Sequence, residues 1–195
     1  MFQKPFYRTA FTLSLMLPIV CFGTERKHRI GNITIQGSDV FTDKQLLRIA
    51  GIKPNQNFRS DTTESIVNRI RDAYLEHGFV KAEVSVSKES AVRDASGKYE
   101  AIDIKITINE GPAYRIRRME VMGSGSTNDG VLVRFIRSAG LRPEGPYNPN
   151  RLDKWVEGLN RLGRFEPVKR EDIEVRVNDQ EHFADLLFHL KQKPD

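Results

Sequence analysis

Four histidines, His28, His77, His182 and His189, are the side chains of this 195-residue chain best suited to hold a metal or shuttle a proton, and their spacing favours neither task. A zinc site wants close ligand pairs with a third ligand nearby. His182 and His189 are separated by a turn and a strand, while His28 and His77 lie near the chain start and at a helix end. Gly123-Ser124-Gly125 before a helix has the flexibility of a phosphate loop, but the Lys-Ser/Thr ending is missing and Ser126 follows instead. No serine sits in a Gly-x-Ser-x-Gly elbow, Cys21 is the sole cysteine, and the acidic residues fall on the outer faces of amphipathic elements. No nucleophile therefore has an identifiable base. The expectation is a chain with no catalytic residue, no cofactor and no metal.

Charge is equally unspecific. The tightest basic cluster, Arg115, Arg117 and Arg118, is flanked by Glu110 and Glu120, which describes a solvated strand face better than a nucleic-acid surface. The first 23 residues read as a secretory signal, with Lys4 and Arg8, an apolar run from Ala10 to Val20, and Cys21-Phe22-Gly23 at the expected cut. That run is shorter than the roughly 20 residues a membrane span needs. Cleavage would remove two positive charges from the formal +5 and the only thiol, leaving a mature chain suited to an oxidising compartment.

The elements that would carry any function occur twice. Ile30, Ile33, Ile35 and Gly37 return as Ile116, Met119, Val121 and Gly123, a constant displacement of 86 (116 − 30). Gly51, Ile52, Pro54 and Phe58 return as Gly140, Leu141, Pro143 and Tyr147 at 89 (140 − 51), and Ile66, Ile70 and Ala73 as Leu152, Val156 and Leu159 at 86 again. Each copy reads strand, helix, helix, strand, strand. Thr42 with Gln45 forms a capping-box pattern, Asp61 with Glu64 another, and Asn148-Pro149 a strong helix start. Leu152, Trp155, Val156, Leu159 and Leu162 make a buried helical stripe, so Trp155 is expected in the core. Ile102, Ile104, Ile106 and Ile108 alternate with polar residues, as do Val80, Ala82, Val84 and Val86, which predicts a sheet covered by helices on one side. The polar stretch Ser87 to Glu100, with Asp94-Ala95-Ser96-Gly97, is expected to be a hairpin loop. Glu110-Gly111-Pro112 joins the copies as a short interdomain hinge.

Ile30-x-x-Ile33-x-Ile35-x-Gly37, Tyr74-x-x-x-Gly78-Phe79, Glu110-Gly111-Pro112-x-Tyr114-x-Ile116 and the run Gly158 to Val168, in this order and spacing, resemble tandem POTRA (polypeptide-transport-associated) domains of the outer-membrane β-barrel assembly (BamA/TamA-like) family, without the barrel. The resemblance implies an α+β fold: a signal peptide at 1–23 and two β-α-α-β-β domains at 28–110 and 113–192, each a three-stranded mixed sheet covered on one face by two helices. It implies a periplasmic location in a Gram-negative-type envelope, association with the outer membrane, and no enzymatic activity. The implied partners are outer-membrane barrel proteins or assembly-complex subunits and unfolded outer-membrane protein substrates, with no nucleic acid. The second strand of each domain is usually an edge in this family. The resemblance therefore points to Val80, Lys81, Ala82, Glu83, Val84, Ser85 and Val86, and to Ile173, Glu174, Val175, Arg176 and Val177, as edges for β-augmentation. The alternatives are an envelope or cell-division scaffold similar to the FtsQ group, and the detached periplasmic half of a barrel protein.

Overall fold

The computed structural model describes residues 27–93, 99–123, 129–163, 165–191 and 193. The expected signal segment, the Asp94-Ala95-Ser96-Gly97 turn and most of the Gly-Ser stretch after Gly123 lie outside them. The first copy comprises β1 (Lys27–Gln36), α1 (Asp43–Ala50), α2 (Thr62–Glu76), β2 (Glu83–Arg93) and β3 (Tyr99–Asn109). The second comprises β4 (Arg115–Met122), α3 (Asp129–Ser138), α4 (Pro149–Leu162), β5 (Ile173–Asn178) and β6 (Phe183–His189), with a 3₁₀ turn at Arg170–Asp172 before β5. Each copy builds its own sheet, ordered β1-β3-β2 and β4-β6-β5. In both, the first strand runs parallel to the last and the middle strand antiparallel to it, so each sheet is mixed.

Two separate cores follow from the periodicities. Ile30, Leu46, Ile66, Ile70, Tyr74, Ile104 and Ile106 are fully buried in the first; Ile116, Leu132, Leu152, Trp155, Leu159, Leu186 and Phe188 in the second. Helix α1 starts at the expected capping box, with Thr42 N donating to Gln45 Oε1 at 2.9 Å and Gln45 N to Thr42 Oγ1 at 3.4 Å. Helix α4 starts at Asn148, whose Oδ1 accepts from Asn150 N. Helix α2 departs from expectation: Asp61 holds the cap position in an αR conformation with no cap bond. Its carboxylate faces Arg59 instead, and Arg59 N donates to Thr62 Oγ1.

The three-residue gap between Ile30 and Ile33, which breaks strict alternation, is a β-bulge. Asn32 N donates to Asp103 Oδ1 at 2.6 Å across it. The second copy bulges between Ile116 and Arg118, where Arg117 donates to Asp185 through Nε at 3.1 Å and Nη2 at 2.6 Å. One carboxylate on the central strand anchors each bulge, through main chain in one copy and a guanidinium in the other. The expected Ser87–Glu100 loop is mostly strand. β2 runs on to Arg93 and β3 begins at Tyr99, because the first residues of β1 pair with β3 there and extend the ladder: Lys27 faces Tyr99 and Arg29 faces Ala101. No helix among the described residues is long and apolar enough to cross a membrane.

Candidate interaction edges and the domain junction

A strand becomes a binding surface only if its outward main chain is free. In each copy the central strand, β3 or β6, is paired on both sides, which leaves β1, β2, β4 and β5 as edges. Half of β1 is closed by the segment before α2: Ile30 N donates to Gln56 O, Asn55 N to Ile30 O and Phe58 N to His28 O, all at 2.8–2.9 Å. The same closure protects β4, through Ile116 N to Gly145 O, Glu144 N to Ile116 O and Tyr147 N to Tyr114 O. β2 carries no such strap among the described residues, and β5 carries one only at its first residue, where Ile173 N donates to Arg170 O and Ile173 O accepts from Arg170 Nη1 at 3.2 Å.

The polarity of these two edges follows from a few bonds. Leu190 N donates to Met122 O at 2.9 Å, so even-numbered residues of β6 turn their main chain toward β4 and odd-numbered ones toward β5. Leu187 and Asp185 face Glu174 and Arg176, which therefore bond inward, while Val175 and Val177 direct their N–H and C=O outward and Ile173 spends both of its groups on Arg170. In the first copy the Ile108 carbonyl points toward the end of β1, beside Gly37. By the same alternation Glu83, Ser85 and Ser87 bond to β3, and Val84, Val86 and Lys88 face out. A register shift between Glu89 and Ala91 ends the regular edge of β2.

Side chains divide accordingly. Val84 and Val86 pack against the first core and Val175 against the second, while Val177 is 47% exposed. The opposite face of β5 carries Glu174 and Arg176, paired at 2.6 Å, so the guanidinium holds the Glu174 carboxyl below its ordinary pKa. The basic cluster expected to be a solvated face is one: Arg117 pairs with Asp185 and Arg118 with Glu120.

Val80, Lys81 and Ala82, expected at the start of the edge strand, lie in a turn before β2 and belong to a junction with the second domain. Ala82 is buried in the first core, Val80 packs against the second, and Lys81 Nζ donates to Asp179 Oδ1 at 2.8 Å. The same oxygen accepts from Tyr114 OH at 2.7 Å. The two donors lower the Asp179 pKa, Lys81 first, and the Lys81 pKa is raised in return. On the helical side Glu76, at the end of α2, accepts from Asn148 Nδ2 at 3.0 Å and Arg151 Nε at 3.1 Å, at the start of α4. Between these pairs Tyr114 N donates to Gly78 O at 2.8 Å.

Of the expected hinge, Glu110 is bound into the first domain. Its Oε1 accepts from Asp39 N (2.9 Å), Val40 N (3.0 Å), Ser38 Oγ (3.2 Å) and Tyr74 OH (2.7 Å). Burial alone would raise its pKa, but the donors outweigh it and the net shift is downward. Tyr74 is pushed up to about 12, by burial first. Gly111 and Pro112 remain as the linker.

The histidines stay dispersed: His28 lies 3.3 Å from Glu100, His189 lies 3.8 Å from Glu174, and the rings of His77 and His182 abut Phe41 and Tyr114 edge-on. The sequence pattern did not single out Glu76, Asn148 as a ligand, Arg151 or Asp179. Gly78 and Tyr114 carried a signal, in the Tyr-x-x-x-Gly-Phe motif and the Glu-Gly-Pro-x-Tyr joint, and Val80 and Lys81 were expected on an edge strand instead.

The fold is a tandem α+β arrangement, two copies of a mixed three-stranded sheet with helices. The POTRA family model, described as a surface antigen variable number repeat, matches residues 28–111 and again 114–193. The chain belongs to the POTRA family. It is 26% identical over 182 residues to an outer membrane protein assembly factor BamA of Nitratidesulfovibrio vulgaris, covering 90% of this chain and 22% of that protein. It is 27% identical over 170 residues to the BamA of Buchnera aphidicola, covering 86% of this chain and 26% of that one. The chain thus spans about a quarter of the length of these relatives. Among solved structures, the fold is similar to BamA from Haemophilus ducreyi lacking POTRA domains 1–3 (TM-score 0.62, 18% identity, 85% of this chain and 30% of that one). It is also similar to Haemophilus influenzae BamA POTRA3-5 (TM-score 0.55, 18% identity, 85% of this chain and 61% of that one).

Proposed function

We propose that this chain is a non-catalytic periplasmic binding module of outer-membrane protein assembly or secretion, which holds barrel precursors or assembly partners by adding their strands to β2 and β5. The observation that carries the reading is the asymmetry of the edges: β1 and β4 are strapped by their own loops, whereas Val84, Val86 and Lys88, and Val175 and Val177, direct main-chain groups outward. Main-chain pairing tolerates many sequences, which suits a module that handles many extended chains. The similarity to BamA proteins supports the compartment and the class of partner. Localisation to the periplasmic side of the outer membrane fits the signal-like first 23 residues.

Photo-crosslinking in living cells tests this, with probes at Ser85 and Val177 and a control at exposed Lys44 on α1. Adducts to outer-membrane barrel precursors or assembly subunits from the two edges, and not from Lys44, are expected. Equal adducts from all three sites, or none from the edges, would refute strand addition as the binding mode.

A further inference from the structure

We propose that β2 and β5 form one composite edge, on which a single extended segment of another polypeptide pairs across both domains. This rests on the strand-addition reading above and adds the length and pattern of the partner. At the junction, elements of the two domains meet end to end in corresponding order. Glu76, the last residue of α2, meets the first turn of α4 at Asn148 and Arg151. Lys81, just before β2, meets Asp179, just after β5. The end of β3 passes through Gly111 and Pro112 into β4. Helix end meets helix start and edge meets edge, which puts the two free edges on the same flank of the junction.

Direction agrees as well. β5 runs toward the junction and ends at Asn178; β2 starts beyond it at Glu83 and runs away. The edges therefore point the same way, and a partner antiparallel to one is antiparallel to the other. The stretch of β5 from Glu174 to Asn178 and the regular stretch of β2 from Glu83 to Glu89 offer roughly 17 and 23 Å at ~3.3 Å per residue, and a segment of about 15 residues spans both with the junction. The side chains beside the outward main chain are Val84, Val86 and Val175, packed on the helix side of the edges, and Val177, which alternation puts on the same face and which is exposed. Ser85, Ser87, Glu174 and Arg176 occupy the other face. The partner that fits carries apolar residues at alternate positions and polar ones between them, as a half-buried strand does. Neither edge alone is long, and pairing both with one chain makes the second contact intramolecular, which raises affinity without any new kind of contact.

The test uses two synthetic peptides of alternating valine with serine or lysine, about 8 and about 18 residues long, so that only the longer can span both edges. Amide hydrogen exchange and titration calorimetry on the signal-free chain report on them. The long peptide is expected to bind one to one, at least about tenfold more tightly than the short one. It should protect the amides of Val84, Val86, Val175 and Val177 together. Lys88→Pro and Val177→Pro each remove one outward N–H without a ladder bond, and either should abolish the length advantage. Two long peptides per chain, or protection of one edge with no gain from length, would overturn the composite edge and leave strand addition standing. No protection at any of the four amides would overturn both. Stoichiometry and length dependence are measured on the unmodified sequence, so the result does not depend on the proline variants folding.

Discussion

Gly78→Ala separates the contribution of the domain junction from that of backbone strain. Gly78 has φ +89°, and a Cβ there would collide with the carbonyl oxygen of Tyr114 and lie 3.3 Å from Pro146 Cβ. The colliding atom is main chain, so no rotamer change relieves it. Gly163 is the internal control, with φ +67° and nothing within 4 Å of the place a Cβ would take. Left-handed backbone costs an alanine roughly 1–2 kcal/mol, and Gly163→Ala should lose about that much. Gly78→Ala adds the loss of the Tyr114 N to Gly78 O bond, worth about 1 kcal/mol, as the two chains are forced apart. It also loosens the half-exposed Glu76–Arg151 pair, worth about 0.5 kcal/mol, while the solvent-screened Lys81–Asp179 pair adds little. The expected total is about 3 kcal/mol. Urea unfolding followed by Trp155 fluorescence and far-ultraviolet circular dichroism gives the stability. Spin labels on Lys53→Cys and Lys154→Cys, with Cys21→Ser, give the interdomain distance distribution. Gly78→Ala should broaden that distribution and Gly163→Ala should leave it unchanged. Equal stability losses and the same narrow distribution in both variants would refute the junction as a clamp.

Two further substitutions probe the interior. Trp155 is fully buried, its ring centroid 4.6 Å from that of Phe188, and its Nε1 has no hydrogen-bond partner among the described residues. Trp155→Ala should cost about 3–5 kcal/mol in chemical denaturation, whereas Trp155→Phe, which removes an unpaired polar group, should cost less than about 1.5 kcal/mol. Glu110 has a folded pKa below its unfolded one, so its stabilisation is complete above the ordinary carboxyl value of about 4.3 and fades as pH falls through the lower folded value. Glu110→Gln should flatten that acid-side loss in a pH series of urea midpoints; an unchanged acid limb would show that other carboxylates govern it.

The repeat made most of the fold legible, because period-two and helical apolar patterns depend only on which face is buried. The bulges were present in the sequence as the three-residue gaps Ile30 to Ile33 and Ile116 to Met119, yet a gap alone does not reveal which carboxylate fills it. Asp103 and Asp185 are identified only once β3 and β6 lie beside those gaps. The edge expectation divided at residue 83 for a similar reason. Val80-Lys81-Ala82 has the same alternation as the strand that follows, but alternation cannot distinguish a residue pairing with its neighbour strand from one packing on another domain. Long-range partners decide that, and Lys81 finds Asp179 about a hundred positions away.

The two copies also hold the chain beyond their second helix by different chemistry, which explains why one joint reads as a clamp. Tyr74 and Asn160 occupy the same place in the repeat (160 − 74 = 86). Tyr74 commits its hydroxyl to Glu110 and Ser38, tying the residue that follows β3 to the helix. Asn160 instead bonds both main-chain groups of Val168, through Nδ2 to the carbonyl at 2.7 Å and from the N–H to Oδ1 at 2.8 Å. The first arrangement fixes the segment that leads out of the domain. The second fixes the loop that leads into its edge strand. In the first domain these bonds fix the chain just before Tyr114, whose N–H meets Gly78 O, and in the second they fix the approach to β5. The composite edge proposed above would require both, since a free linker or a loose approach to β5 would break the register between the two strands.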